Sequence, residues 1–409
     1  MSDHPCIQSL IDTDFYKLTM QQAYLHQLPQ AEGEWAFHCR SDEDLTPYLP
    51  ALRANLQDLA ALRLTEAEAA WLKTQAPYLS EDYLAFLRHY RFDPQRLQLT
   101  VRGDRLLIRA KGPQLLVSPL EIPVLATLSE VRNRACYPNL DEDQILAATD
   151  AKIAQLKRLA SQHDLSGFRF SDFGTRRRFS FAAQQRVVAR LAEALPDHFV
   201  GTSNPHLARQ FGLPCVGTMA HEWLQTHQGL GYRLEQSQKA ALENWIREYR
   251  GVLGVALTDV IGVDAFCRDL DFTLAQRYDG FRHDSGDPIA WGEKILARLA
   301  ELDVDAAGKT LVFSDGLDFA RAVAIYCHFQ GRVKLSFGIG TWLMGDFAVN
   351  RPLNMVMKLV RLGGQPVAKI SDSPGKTLCR DLDFLNNLMD VFAVSASTRD
   401  TVLANLAGR

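Results

Sequence analysis

An imidazole among small polar residues can accept a phosphoryl group or move a proton. His221 has such surroundings: it follows the apolar segment LPCVGTM and stands between Thr218 and Glu222. A histidine so placed can also be a packed structural residue, and spacing alone leaves both readings open. Asp259 closes the apolar segment LGVALTD, where a carboxylate can fix the tautomer of an imidazole. Asp284 and Asp287 in RHDSGDP can hold Mg2+ bridged to phosphates, since that ion takes one or two carboxylates plus phosphate oxygens. The same string is equally good turn and helix-cap chemistry. Arg176, Arg177 and Arg178 can clamp phosphate. A charge run is also the ordinary mark of a solvated face, which at least one of the three is expected to be. Gly338, Gly340 and Thr341 form GIGT, where glycines let backbone N–H groups approach an oxyanion and the hydroxyl adds a donor.

These residues share a position. Seven short apolar runs, at 168–175, 198–204, 213–223, 253–260, 279–288, 309–318 and 333–342, each end in a glycine, hydroxyl, carboxylate or base. Helical patterns separate most of them. Strand–loop–helix alternation predicts a parallel sheet, and seven strands favour an α/β barrel with one irregular stave. In such barrels the site lies at the carboxyl ends of the strands, with phosphate commonly near the last ones. Two nucleotide motifs fail. No G-x-G-x-x-G opens an early βαβ unit, and PGKT (374–377) has Ile370 where a P-loop requires its first glycine.

The flanks read differently. Residues 14–27 predict a helix with Phe15, Leu18, Gln22 and Leu25 on one side. Residues 97–110 predict a hairpin around Gly103-Asp104, and Asp141 to Leu159 is helical in pattern. After Asn350 a second hairpin, PLNMVMKLV and PVAKISD, turns at Gly363-Gly364. The expected division is an α+β domain over 1–135, a barrel over 136–345, and a segment over 346–409 that packs on the first domain. Composition limits the function classes. Charged residues are 23%, hydrophobic residues 47%, and the net charge of −3 gives no general reason to bind nucleic acid. Seven cysteines with no C-x-x-C spacing argue against zinc and disulfide frameworks. No apolar run approaches membrane-spanning length, and MSDHPCIQSLIDTDFYK lacks a secretory pattern, so a cytoplasmic protein acting on a small substrate is expected.

Taken together, GTMAHEW, FGTRRRFS, RHDSGDP, FSDGLD and LSFGIGT, with DTDFYK and KISDSPGKT at the two ends, resemble bacterial nicotinate phosphoribosyltransferases. The likeness runs in family order over nearly the whole chain. It implies a type II phosphoribosyltransferase fold, an irregular α/β barrel with an α+β domain built from both ends of the chain. It implies transfer of phosphoribose from 5-phosphoribosyl 1-diphosphate to nicotinate, coupled to ATP hydrolysis, in NAD salvage. By the same resemblance His221 is phosphorylated by ATP, Thr218 and Arg282 contact nicotinate, and Thr341 contacts the phosphoribosyl group. Tyr16 is expected from the neighbouring subunit of a homodimer, stacked on the pyridine ring. Catalytic Asp259, phosphate-binding Arg176 with Gly338 and Gly340, and Asp284 as a Mg2+ ligand extend this set. Quinolinate would call for further basic residues, and nicotinamide for an amide partner in place of a bare arginine. A phosphate-binding barrel used as a scaffold would need no nucleophile at a strand end.

Overall fold

The protein is described here by a computed structural model covering residues 5–373, 376–377, 379 and 381–407. Pro374 and Gly375 of the PGKT string lie outside the described residues. In chain order the strands are β1 (Glu32–Cys39), β2 (Leu97–Arg102), β3 (Arg105–Pro113), β4 (Phe170–Asp172), β5 (Phe199–Thr202), β6 (Val255–Leu257), β7 (Gly280–His283), β8 (Thr310–Phe313), β9 (Lys334–Ile339), β10 (Met355–Leu362) and β11 (Gln365–Pro366).

The strands form two sheets. One is antiparallel, in the order β11-β10-β1-β3-β2, and so joins strands from both ends of the chain. The β2–β3 hairpin turns at Gly103-Asp104 as its alternation predicts. The centre of this sheet, β1, has no counterpart among the predicted elements. It pairs with β10 across more than 300 residues of sequence, bringing Ala36 opposite Lys358. The second sheet is parallel, in the order β5-β4-β9-β8-β7-β6. Its strands are short and buried on both faces, as a sheet covered by crossover helices requires.

Six of the seven expected barrel strands form. The seventh, over 213–223, does not, because Pro214 offers no N–H and residue 217 is a glycine at φ +153°. The stretch still runs between the two edge strands. Val216 N–H donates to Thr202 O at 3.0 Å beside β5. The Thr218 hydroxyl donates to Val255 O at 3.1 Å on β6. It is the irregular stave, and a helix starts directly after it at His221.

Three helices position the site: α1 (Tyr16–Gln27), α2 (Glu121–Cys136) and α3 (His221–Gln228). The predicted one-sided pattern of α1 gives way to burial on nearly every side, including Lys17, Thr19 and Gln22. With the residues before it, α2 makes a helical stretch, Gln114–Cys136, long and apolar enough to cross a membrane, contrary to the reading of apolar run lengths. It is an interior helix, 94% buried, and its Arg132 is paired with Glu43. Leu385, Leu388 and Met389 of the helix Leu382–Val391 join the hydrophobic core of the parallel sheet, whereas Met355, Met357 and Leu359 of β10 join that of the antiparallel sheet.

Candidate active site

A cavity of about 650 Å3 opens at the carboxyl ends of the parallel strands, against the antiparallel sheet. His221, Arg282, Asp284, Arg176, Gly340 and Thr341 line it, from four separate segments of sequence. Tyr16 lines it too, from the same chain. The start of α1 is tied to its own barrel: Phe15 N–H donates to Ser203 O at 2.7 Å, and the Ser203 hydroxyl donates to Asp14 at 2.6 Å. The Thr19 hydroxyl donates to Thr218 O at 2.6 Å. A Cβ on Gly217 would lie 3.2 Å from Tyr16 N, so the bare backbone of the irregular stave lets α1 approach.

His221 sits in a compact charged cluster. Its Nε2 is 2.8 Å from Asp259 Oδ1 and 3.6 Å from Asp284 Oδ2. Lys369 Nζ lies 2.7 Å from Asp259 Oδ2, 2.7 Å from His221 Nε2 and 3.6 Å from Asp284 Oδ2. The Ser285 hydroxyl also donates to Asp259 Oδ2. Burial, together with the Lys369 charge, lowers the imidazole to about 4, so the ring is neutral at ordinary pH. Burial alone would raise Asp259, but Lys369 and His221 hold it well below the usual carboxylate range. Asp284 is held down in the same way, against burial, by Lys369, His221 and Arg282. Asp259 would accept from a protonated Nε2, whereas the Lys369 ammonium, 2.7 Å away, would donate to a bare one; we take the Asp259 contact as decisive, with the lysine protons turned to the carboxylates. The lone pair then lies on Nδ1. A neutral imidazole with a fixed tautomer is a nucleophile rather than an acid.

Arg282, on β7, donates one hydrogen bond, from Nη1 to Met219 O at 3.2 Å, and its buried Nε has no partner. It forms no ion pair with Asp284 or Asp287 among the described residues, so most of its fork remains for a ligand. Arg176 is likewise engaged in no hydrogen bond or ion pair there, while Glu121, Asp284 and Asp14 surround it with negative potential. Burial raises Asp14 to about 6 against its hydrogen bond from Ser203.

Other expected residues stand elsewhere. The Thr218 hydroxyl is turned to Val255 O rather than into the cavity wall. Gly338 lies within β9 behind the wall, where a Cβ would fall 2.3 Å from the Phe173 ring; close packing requires this glycine. Asp287 caps the helix Pro288–Glu301 by accepting from Ala290 N–H at 2.7 Å. None of the three consecutive arginines is a solvated face. Arg178 is fully buried and bidentate to Asp12 at 2.7 and 2.9 Å. Arg177 lines the cavity, donates twice to Met355 O, and is lowered to about 9 by burial and by Arg176.

The sequence reading missed Lys369 and a basic wall beside it. Arg40 follows β1, Lys358 is on β10, and Lys376 is on the strap after β11; all three line the cavity. Lys376 pairs with Asp315 at 2.6 Å. Lys358 donates to Lys376 O at 2.5 Å, and burial, with Lys369 and Arg40 nearby, holds it well below its ordinary range. Only the β1–β10 register and the strap bring these residues to His221, and neither shows in local periodicity.

Comparison with known proteins decides the family. The "Nicotinate phosphoribosyltransferase (NAPRTase) family" matches residues 168–396, and its N-terminal domain matches residues 11–129. The chain belongs to this family. It is 52% identical over 389 residues to nicotinate phosphoribosyltransferase 2 of Pseudomonas aeruginosa, covering 95% of this chain and 98% of that protein. It is 49% identical to a nicotinate phosphoribosyltransferase of Ectopseudomonas mendocina, over 95% and 97% of the two chains. A crystal structure of the Vibrio cholerae nicotinate phosphoribosyltransferase superposes with a TM-score of 0.95 at 39% identity, covering 100% and 98% of the chains. A putative yeast nicotinate phosphoribosyltransferase gives 0.88 at 28% identity, over 97% and 100%. The irregular α/β barrel with its α+β domain is thus the fold that this family shares.

Proposed function

We propose that this protein transfers the phosphoribosyl group of 5-phosphoribosyl 1-diphosphate to nicotinate, forming nicotinate mononucleotide and diphosphate, and that ATP hydrolysis through His221 drives the reaction in NAD salvage. The observation that carries the ATP coupling is the neutral imidazole of His221, braced at Nε2 by Asp259 and opening on a cavity that also holds Arg282 and Arg176.

Nδ1 of His221 attacks the γ-phosphorus of ATP. An N–P bond forms, the bond to the bridging oxygen breaks, and ADP leaves. Asp259 keeps hold of the Nε2 proton while positive charge builds on the ring. Nicotinate enters with its carboxylate on Arg282, through a bidentate pair that suits a planar anion. Tyr16 holds the pyridine ring so that its nitrogen points at the anomeric carbon. As the C–N bond forms, the C–O bond to diphosphate breaks. Arg176 and the basic wall receive the negative charge that collects on the leaving group. Gly340 and Thr341 offer a backbone N–H and a hydroxyl to the 5-phosphate. Water then hydrolyses the phosphohistidine.

Mg2+ fits this site only in part. Asp284 offers hard oxygens to the cavity, but the Lys369 ammonium already fills the space among His221, Asp259 and Asp284. Asp284 would hold the ion alone among these side chains, with phosphate and water completing its shell. When bound, Mg2+ would neutralise charge on the diphosphate.

The test is incubation with nicotinate, the phosphoribosyl donor and Mg2+, with and without ATP, scoring product mass and diphosphate release. γ-Labelled ATP should leave acid-labile label on the wild type and none on His221→Asn, which should keep a slow ATP-independent turnover. Label retained by His221→Asn at the wild-type level would remove His221 from the reaction. No product under any condition would remove the transferase reading.

A further inference from the structure

The loop after β9 brings Gly340, Thr341, Trp342 and Asp346 to the cavity wall. Lys152, in the helix Glu142–Ala160, grips that loop without lining the cavity itself. Its Nζ donates to Trp342 O at 2.6 Å and to Asp346 O at hydrogen-bond contact. The same ammonium lies 5.0 Å from the centroid of the Trp342 ring and 5.1 Å from that of Phe347. Lys152 forms no ion pair among the described residues. Burial lowers it to about 8, with the Asp346 charge opposing. The loop it grips is laid directly on the arginine segment. Phe179 N–H donates to Met344 O at 2.8 Å, and a Cβ on Gly345 would fall 2.5 Å from Arg177 O.

We propose that Lys152 is a positioning residue for the phosphoribosyl donor, fixing the loop that presents Gly340 and Thr341 to the 5-phosphate. A largely buried ammonium without a paired carboxylate is costly, and the two rings around it would pack equally well on an apolar chain. Packing therefore does not account for the charge. What the charge does, and a methyl group would not, is hold two carbonyls, one inside the short helix Thr341–Met344 and one just past its end. With both held, a phosphate meets groups already set in position. Without them, the loop must be ordered when the donor binds, and the cost falls on donor affinity. Arg282 stands two strands away, on β7, so nicotinate binding is spared.

The proposal rests on the assignment of the 5-phosphate to Gly340 and Thr341 and is tested separately from it. The KM for the donor, the KM for nicotinate and kcat are measured in the wild type, Lys152→Met, Lys152→Arg and Thr341→Val. Inhibition against the donor by ribose 5-phosphate and by inorganic diphosphate is measured in each. In Lys152→Met the donor KM should rise about 10-fold or more, the equivalent of one lost hydrogen bond to a charged group. Ribose 5-phosphate should weaken as an inhibitor to the same degree, while diphosphate inhibition and the nicotinate KM stay near the wild type. Lys152→Arg should recover part of the donor affinity. Lys152 loses its charge as pH rises past about 8, so the wild-type donor KM should climb between about pH 7 and 9 further than that of Lys152→Arg, whose guanidinium stays charged. That comparison carries the test if Lys152→Met fails to fold, and an equal climb in the two proteins overturns the proposal. So does a folded Lys152→Met with the wild-type donor KM, or one in which ribose 5-phosphate, diphosphate and nicotinate weaken alike in step with the unfolding midpoint, provided Thr341→Val still weakens ribose 5-phosphate. If Thr341→Val leaves that inhibition unchanged, the phosphate assignment falls and the role of Lys152 with it.

Discussion

Arg282 gives the sharpest test of how nicotinate is chosen. Nicotinate and nicotinamide have almost the same shape, so a close-fitting pocket separates them poorly, whereas a site built around a charge separates them well. Arg282 has the chemistry for this. Its guanidinium lines the cavity, spends one N–H on Met219 O, and leaves a buried Nε without a partner. Removing one side of a desolvated charge pair costs about 2–5 kcal/mol. At about 1.4 kcal/mol per tenfold, Arg282→Ala should lower kcat/KM for nicotinate roughly 30- to 4,000-fold. The lost bond to Met219 comes from a charged donor and should cost about 1.5–3 kcal/mol of stability, which the unfolding midpoints report separately from activity. Arg282→Lys should recover part of the activity, since it restores charge without the fork. Turnover of nicotinamide, where measurable, should fall far less. The assay is kcat/KM for both substrates in the three proteins, with unfolding midpoints as control. Equal losses on the two substrates would refute the carboxylate assignment and move it to Arg176, a cavity guanidinium with neither a hydrogen bond nor an ion pair among the described residues.

Three further outcomes are expected. Lys369→Met removes a cation that, after burial, lowers His221 to about 4, so the imidazole should rise and the acid limb of ATP hydrolysis should move to higher pH; an unmoved pH–rate profile would separate Lys369 from the ring. Mixing inactive Tyr16→Ala with inactive His221→Ala subunits should restore activity in the hybrid, as a site shared between subunits requires; no recovery in demonstrated heterodimers would assign each Tyr16 to its own cavity. Gly338→Ala should destabilise the fold by about 1–3 kcal/mol in denaturant titration, since the new methyl meets the Phe173 ring; unchanged stability with a weakened donor KM would place the glycine's role at the ligand.

Much of this site was legible because the barrel writes its chemistry at strand ends. An apolar run that stops at a glycine and a polar residue marks a strand end without any knowledge of its neighbours, and His221, Arg282, Asp284 and Thr341 were reached that way. What failed was of two kinds. Gly338 and Asp287 carry types that suit phosphate or metal, yet a ring behind β9 and a helix N-terminus claim them. Local sequence cannot tell an oxyanion from an aromatic face as the reason for a glycine. The lysines failed for the opposite reason. Lys369 lies 148 positions from His221, on a segment that reads as half a hairpin. Lys358 reaches the cavity only because β10 pairs with β1, a strand absent from the predicted elements. Register between distant strands is set by the packing of whole sheets and leaves no local period.

The cluster around His221 also bears on why ATP would be worth spending there. With the ring neutral, Asp259, Asp284 and Lys369 sum to one negative charge in a largely buried place. A phosphoryl group adds about −1.5 to −2 more. Buried negative charge of that size is costly unless cations meet it. Cations bordering the same cavity are Lys369, already shared between the two carboxylates, Arg282, and the basic wall of Lys358, Lys376 and Arg40. Lys358 is held by burial well below its ordinary range, so fresh negative charge in the cavity would favour its protonated form. A phosphorylated site would thus gather positive charge on the wall that the diphosphate of the donor must contact. On this reasoning ATP would prepare the cavity electrostatically, and hydrolysis of the phosphohistidine would remove the charge and loosen the products.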